Sequence, residues 1–136
     1  MSIKPNFDET LKLLVDAIEN RKIDVYKDFI SKNDILYTIV QNGHAFTTSR
    51  QLIDMHEIWF KDEGWIWTGS VIHKIEGENL AFALIKYDYR AKKEDPPFSS
   101  WLTYVFQIEN NKWRIVHDHN TALDFLAFSK SMNENS

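Results

Sequence analysis

Near the C-terminal end of the chain two histidines, His117 and His119, stand two residues apart with Asp118 between them. Imidazole changes its charge near neutral pH and is a common metal ligand, so the pair could bind a ligand, move a proton or hold an ion. On extended backbone both rings share one face, with Cβ atoms roughly 7 Å apart, while Asp118 faces the opposite way. A metal would need a third ligand, and neither His44, His56 and His73 nor any carboxylate stands at a diagnostic spacing, so none is expected. The plainer reading has the histidines hydrogen-bonding backbone or a partner subunit at the end of a sheet, with Asp118 a surface or dimer-edge carboxylate. A bulge would exchange the faces and turn Asp118 inward instead. For acid–base catalysis the candidates are therefore His119 and Asp118.

The second chemical signal is aromatic. Trp59, Trp65, Trp67, Tyr87, Tyr89, Trp101, Tyr104 and Phe106 offer large flat surfaces, several with a polar handle, although most such rings fill a core or an interface. Along 99–109 the period-2 pattern separates Leu102, Tyr104, Phe106 and Ile108 from the more polar row Trp101, Thr103, Val105 and Gln107, and the first row is expected to face inward. The expected ligand contacts are Trp59, Trp67, Tyr87, Tyr104, Phe106, His117 and His119.

Several elements must position these groups. Leu11, Leu14, Val15 and Ile18 recur at helical spacing, predicting a helix from about Phe7 to Asn20 with Asn6 and Glu9 able to cap it. Asp24 is the expected N-cap of a short second helix carrying Val25, Tyr26, Phe29 and Ile30. Residues 36–40 and 44–46 read as short strands around an Asn42-Gly43 turn. Thr48 and Gln51 match a capping box opening a third helix, with Leu52, Met55, Ile58 and Trp59 on its apolar face and an end near Gly64. Strands follow at 65–75, 80–90, 99–109 and 112–120, joined by turns at 76–79 and Asn110-Asn111 and by the charged, proline-bearing loop 91–97. Leu123, Phe125, Leu126 and Phe128 suggest a terminal apolar turn, giving one domain over 1–128 and a frayed tail over 129–136.

Helices, a hairpin, a helix and then a meander predict an α+β fold, a curved mixed or antiparallel sheet wrapped around three N-terminal helices. At 136 residues with 43% hydrophobic content, one core suffices without staples. Net charge −4 without clustered Lys or Arg gives no footprint for a nucleic-acid backbone. Cysteine is absent, which excludes disulfides and thiolate chemistry. No apolar run reaches membrane-span length, and no signal peptide opens the chain, so a soluble cytoplasmic protein without membrane partners is expected. No Gly-rich phosphate loop or nucleophile elbow is present, so neither a cofactor nor acyl transfer is expected.

The run Asn111-Lys112-Trp113-Arg114-Ile115-Val116-His117-Asp118-His119 resembles the closing strand of SnoaL-like domains in the nuclear transport factor 2-like superfamily. It is similar also to the association domain of calcium/calmodulin-dependent protein kinase, which ends in a Trp-x-x-Val-His-x-His pattern. The resemblance extends to the helical hairpin over 7–30, the Asn42-Gly43 turn before the Thr48 helix and the Gly77-Glu78-Asn79-Leu80-Ala81 strand entry. It departs at Asn120, where serine often follows the last histidine, and at Asn111, where glycine is frequent. The resemblance implies a cone-shaped, cystatin-like barrel, usually a homodimer through the outer face of its sheet, with a cavity between sheet and helices.

Members of that superfamily include isomerases, cyclases, dehydratases, small-molecule binders and pure assembly modules, so the fold does not choose among them. The steroid-isomerase branch uses a base carboxylate plus a tyrosine and a protonated acid, for which Asp88, Tyr87, Tyr89 and Tyr104 match by type alone. The leading expectation is a small-molecule-binding domain with an aromatic-lined cavity. The alternatives are a cofactor-free isomerase, dehydratase or hydrolase and a dimerisation module.

Overall fold

Residues 4–123 are described by a computed structural model of the chain. Helix α1 (Phe7–Glu19) opens where the Asn6 side chain accepts from the Glu9 amide at 3.0 Å, and it buries Phe7, Leu11, Leu14 and Ile18. Helix α2 (Ile23–Asp28) differs from expectation: Lys22 occupies the N-cap without a side-chain bond, and Asp24 lies inside the first turn. A carboxylate there still faces the exposed amides of the helix start. Helix α3 (Ser49–Lys61) starts at Thr48, whose hydroxyl accepts from the Gln51 amide at 3.2 Å, and it ends before Gly64.

The strands are β1 (Tyr37–Ile39), β2 (Ala45–Phe46), β3 (Ile66–Glu76), β4 (Leu80–Arg90), β5 (Phe98–Glu109) and β6 (Lys112–Ala122). They form one mixed sheet in the order β2-β1-β6-β5-β4-β3, antiparallel except where β1 runs parallel to β6. The sheet does not close on itself: among the described residues β2 and β3 are its two edges, so the expected barrel is open. Gly43 (φ 85°) and the Asn110-Asn111 pair (φ 50° and 63°) adopt the left-handed conformation that tight hairpins require. No helix among the described residues is long and apolar enough to cross a membrane.

The core lies between the helices and the inner face of the sheet, where Phe7 meets Phe106 and Trp113 edge-on at ring distances of 5.2 and 5.3 Å. Leu102, Tyr104 and Phe106 are buried, as the alternation of β5 predicts. Ile58 departs from the predicted apolar face of α3 and is 72% exposed, whereas His56 is buried in line with Leu52 and Phe60. Phe125, Leu126 and Phe128 fall outside the described residues.

One irregularity decides what the sheet presents to the core. Val105 pairs with His117 but Phe106 pairs with Ile115, so Val116 is an extra residue on β6. Before this β-bulge Trp113 and Ile115 point inward; beyond it Asp118 is the buried residue and His119 is exposed. The single face expected for Trp113, Ile115, His117 and His119 is therefore broken in the middle, because two residues of the bulged strand oppose one on its partner.

Candidate functional site

Between α3 and the inner face of the sheet lies a cavity of about 690 Å3. Helix α3 contributes Met55, His56 and Trp59 to its wall, β3 contributes Trp67, β4 contributes Tyr87 and Tyr89, and β5 contributes Leu102 and Tyr104. Asp118 and Asn120 reach it from β6, and Thr38 with Gln41 from β1 and the turn after it. Register explains the polar floor. Asp118 sits between Thr38 on β1 and Tyr104 on β5, which are its direct cross-strand partners and so share its face.

Asp118 is 3% exposed, and among the described residues its single hydrogen-bond donor is Asn120 Nδ2 at 3.1 Å. Burial pushes its carboxyl up to about 8, with the Asn120 bond pulling the other way. At neutral pH it is mostly the protonated acid, able to donate. Asn120 is itself held, since the Tyr87 hydroxyl donates to its Oδ1 at 2.8 Å and Gln41 Nε2 donates to that hydroxyl at 2.8 Å. The result is a polar chain Gln41, Tyr87, Asn120, Asp118 running down one side of the cavity. The hydroxyls of Tyr26 and Thr38 are buried without a hydrogen-bond partner among the described residues. Burial and the nearby Asp118 carboxylate raise the Tyr26 and Tyr104 phenols well above their usual range, so both remain hydroxyls.

His56 adds the second ionisable group. Its Nδ1 lies 3.0 Å from the carbonyl oxygen of Leu52, which can only accept, so Nδ1 carries the proton. Burial lowers its pKa to about 4, so the ring is neutral and Nε2 retains a lone pair. Tyr26 stacks against this ring at 4.1 Å and fixes its plane.

The aromatic wall is braced from behind. Trp59 stacks on Trp65 at 4.1 Å, and the Arg21 guanidinium covers Trp65 at 3.8 Å. Trp67 stacks on Tyr87 at 5.2 Å. The Trp67 ring also lies over Gly69, where an added Cβ would stand 2.5 Å from it. Only glycine leaves room for the ring at that distance.

Of the residues singled out by sequence, Trp59, Trp67, Tyr87, Tyr104 and Asp118 meet in this cavity. Phe106 is fully buried beneath it, packed on Phe7 and Tyr104. His117 and His119 do not line it; the bulge sends them to the outer face of the sheet, with ring centres 6.3 Å apart. There, partial burial and the neighbouring His119 lower the pKa of His117. Gln41, Thr38, Tyr26, His56 and Asn120 are not among the ligand contacts or catalytic candidates expected from sequence. The signal for His56 was present, since Leu52, His56 and Phe60 recur every four residues on the buried stripe of α3. Among the described residues no three histidine or carboxylate side chains converge to hold a metal ion.

A family model described as SnoaL-like domain matches residues 8–123. No curated protein sequence matches the chain significantly. Among solved structures, a candidate calcium/calmodulin-dependent protein kinase type II association domain from Thiobacillus denitrificans is similar at 17% identity and TM-score 0.75, over 91% of this chain and 100% of that one. A candidate dehydratase of the nuclear transport factor 2-like family from Streptomyces avermitilis is similar at 8% identity and TM-score 0.72, covering 86% and 93% of the two chains. An epoxide hydrolase from M. tuberculosis is similar at 11% identity and TM-score 0.64, covering 90% and 85%. At these identities the likeness is one of fold.

Proposed function

The chain belongs to the SnoaL-like domain family, and from that premise we propose that its cone binds a small, partly apolar organic molecule. The observation that carries this reading is the cavity of about 690 Å3, walled by tryptophan and tyrosine rings and floored by a few buried polar groups. That pattern, apolar walls with sparse convergent donors, suits a small-molecule site. The domain is proposed to work in the cytoplasm as a homodimer, joined through the outer face of β4, β5 and β6. Partly exposed Phe82, Leu84, Trp101 and Val105 on that face support the dimer.

Asp118 and His56 favour a second reading, cofactor-free proton transfer. A buried acid near neutrality and a neutral imidazole lone pair in one cavity are the two halves that an isomerase, dehydratase or hydrolase needs. In that role Asp118 would donate to a carbonyl or leaving oxygen, and His56 Nε2 would accept a proton.

The test is a thermal-shift screen of a metabolite library against wild type, Tyr104→Phe and His119→Ala. Hits whose shifts shrink in Tyr104→Phe and persist in His119→Ala support the cavity. Hits insensitive to Tyr104 and lost with His119 would move the site to the outer face.

A further inference from the structure

Two features of the cavity wall point to the charge of its ligand. Among the described residues no lysine or arginine lines it, while two carboxylates do, Asp118 at the floor and the exposed Asp62 at the rim. The rest of the lining is rich in electron-dense aromatic faces, Trp59, Trp67, Tyr87, Tyr89 and Tyr104. Such faces attract cations placed over them, tryptophan most strongly. An ionised Asp118 would have Asn120 as its hydrogen-bond donor and no cation from this cavity wall to offset its charge. The Thr38 hydroxyl beside it, which has no hydrogen-bond partner among the described residues, adds a further acceptor.

Resting on the small-molecule reading above, we propose that the ligand is an organic ammonium ion with an apolar body. Its cationic head sits among the aromatic rings against Asp118, and its body lies along Met55, Leu102 and Ile18. The ligand then supplies the positive charge that the described cavity wall omits.

The groups facing Asp118 define the proton coupling. They are Tyr26 from α2, Thr38 from β1, Tyr87 from β4, Tyr104 from β5 and Asn120 on its own strand, with neutral His56 of α3 elsewhere in the cavity wall, Asp62 at the rim and Arg21 behind Trp65 outside the cavity. None of these provides a cation inside. Because the free acid is mostly protonated at neutral pH, binding a cation expels its proton, and affinity rises with pH until Asp118 is ionised without ligand.

Butyrylcholine and its uncharged carbon isostere 3,3-dimethylbutyl butanoate separate charge from shape. Calorimetry with the full chain at pH 8.5 should show the cation binding about tenfold or more tightly than the isostere. Titrations near pH 7 in buffers of different ionisation enthalpy should show about one proton released per cation. Asp118→Asn, which keeps shape and removes charge, should bring the two affinities together and abolish proton release. Trp67→Phe should weaken the cation more than the isostere. An isostere that binds as well as the cation, or a preference unchanged in Asp118→Asn, overturns the ammonium inference and leaves the pocket standing. If no library compound of any charge binds, the small-molecule reading fails as well.

Discussion

Asn120 bonds Asp118 and Tyr87 at once, donating from Nδ2 to the Asp118 carboxyl at 3.1 Å and accepting at Oδ1 from the Tyr87 hydroxyl at 2.8 Å. This fixes the amide orientation, because a tyrosine hydroxyl already receiving a bond from Gln41 has its proton free to donate. The Asn120 bond is what partly offsets the burial of Asp118.

Removing that donor moves the acid further from its ordinary range. Asn120→Ala should raise the Asp118 midpoint above the wild-type value of about 8, followed by carbon-detected NMR titration of the side-chain carboxyl. An unchanged or lowered midpoint would show that burial alone sets it.

Stability against pH carries two opposed signatures. Asp118 is raised from 3.8 to about 8, so its contribution is full below 3.8 and is lost as pH rises towards 8. His56 is lowered from 6.5 to about 4, so the unfolded chain binds more protons between those values and stability rises with pH there. The two slopes, each roughly 1 kcal/mol per pH unit, largely cancel from about pH 4 to 6.5 and leave Asp118 alone from 6.5 to 8. Urea unfolding should therefore show stability falling over pH 6.5–8 in wild type and flat in Asp118→Asn. A wild-type curve without that fall would refute the burial of Asp118.

Gly69 is expected to be intolerant of the smallest side chain. A Cβ 2.5 Å from the buried Trp67 ring must displace it, and overpacking of this kind costs about 1–3 kcal/mol. Gly69→Ala should lower the urea midpoint and quench or shift tryptophan fluorescence. Gly64→Ala, nearest to the Asp62 side chain at 3.2 Å, is the milder comparison.

Light scattering tests the proposed dimer. A mass near twice 16.1 kDa that Val105→Glu on the outer face reduces to the monomer is the expected result. A concentration-independent monomer in wild type removes the dimer.

How much of this could be read in the chain varies with the range of the interaction. Caps at Asn6 and Thr48, turns at Gly43 and Asn110-Asn111, and the inward row of β5 depend on residues within a few positions of one another. Those neighbours are visible in sequence. The SnoaL-like likeness of residues 111–119 was legible for the same reason, as one continuous strand. The site was legible only in its rings: Trp59, Trp67, Tyr87 and Tyr104 line the cavity, but the two histidines that drew attention first do not.

What the sequence alone determined is the set of elements and the α+β class, because propensity, capping and periodicity are local. What tertiary structure decided is which carboxylate or imidazole meets the cavity. A single extra residue at Val116 reverses the face of every position after it, and nothing in the types Ile115-Val116-His117 marks the bulge. Pairing with β5 and β1 puts Asp118 between Tyr104 and Thr38, and burial there, not its neighbours in sequence, gives it a pKa of about 8.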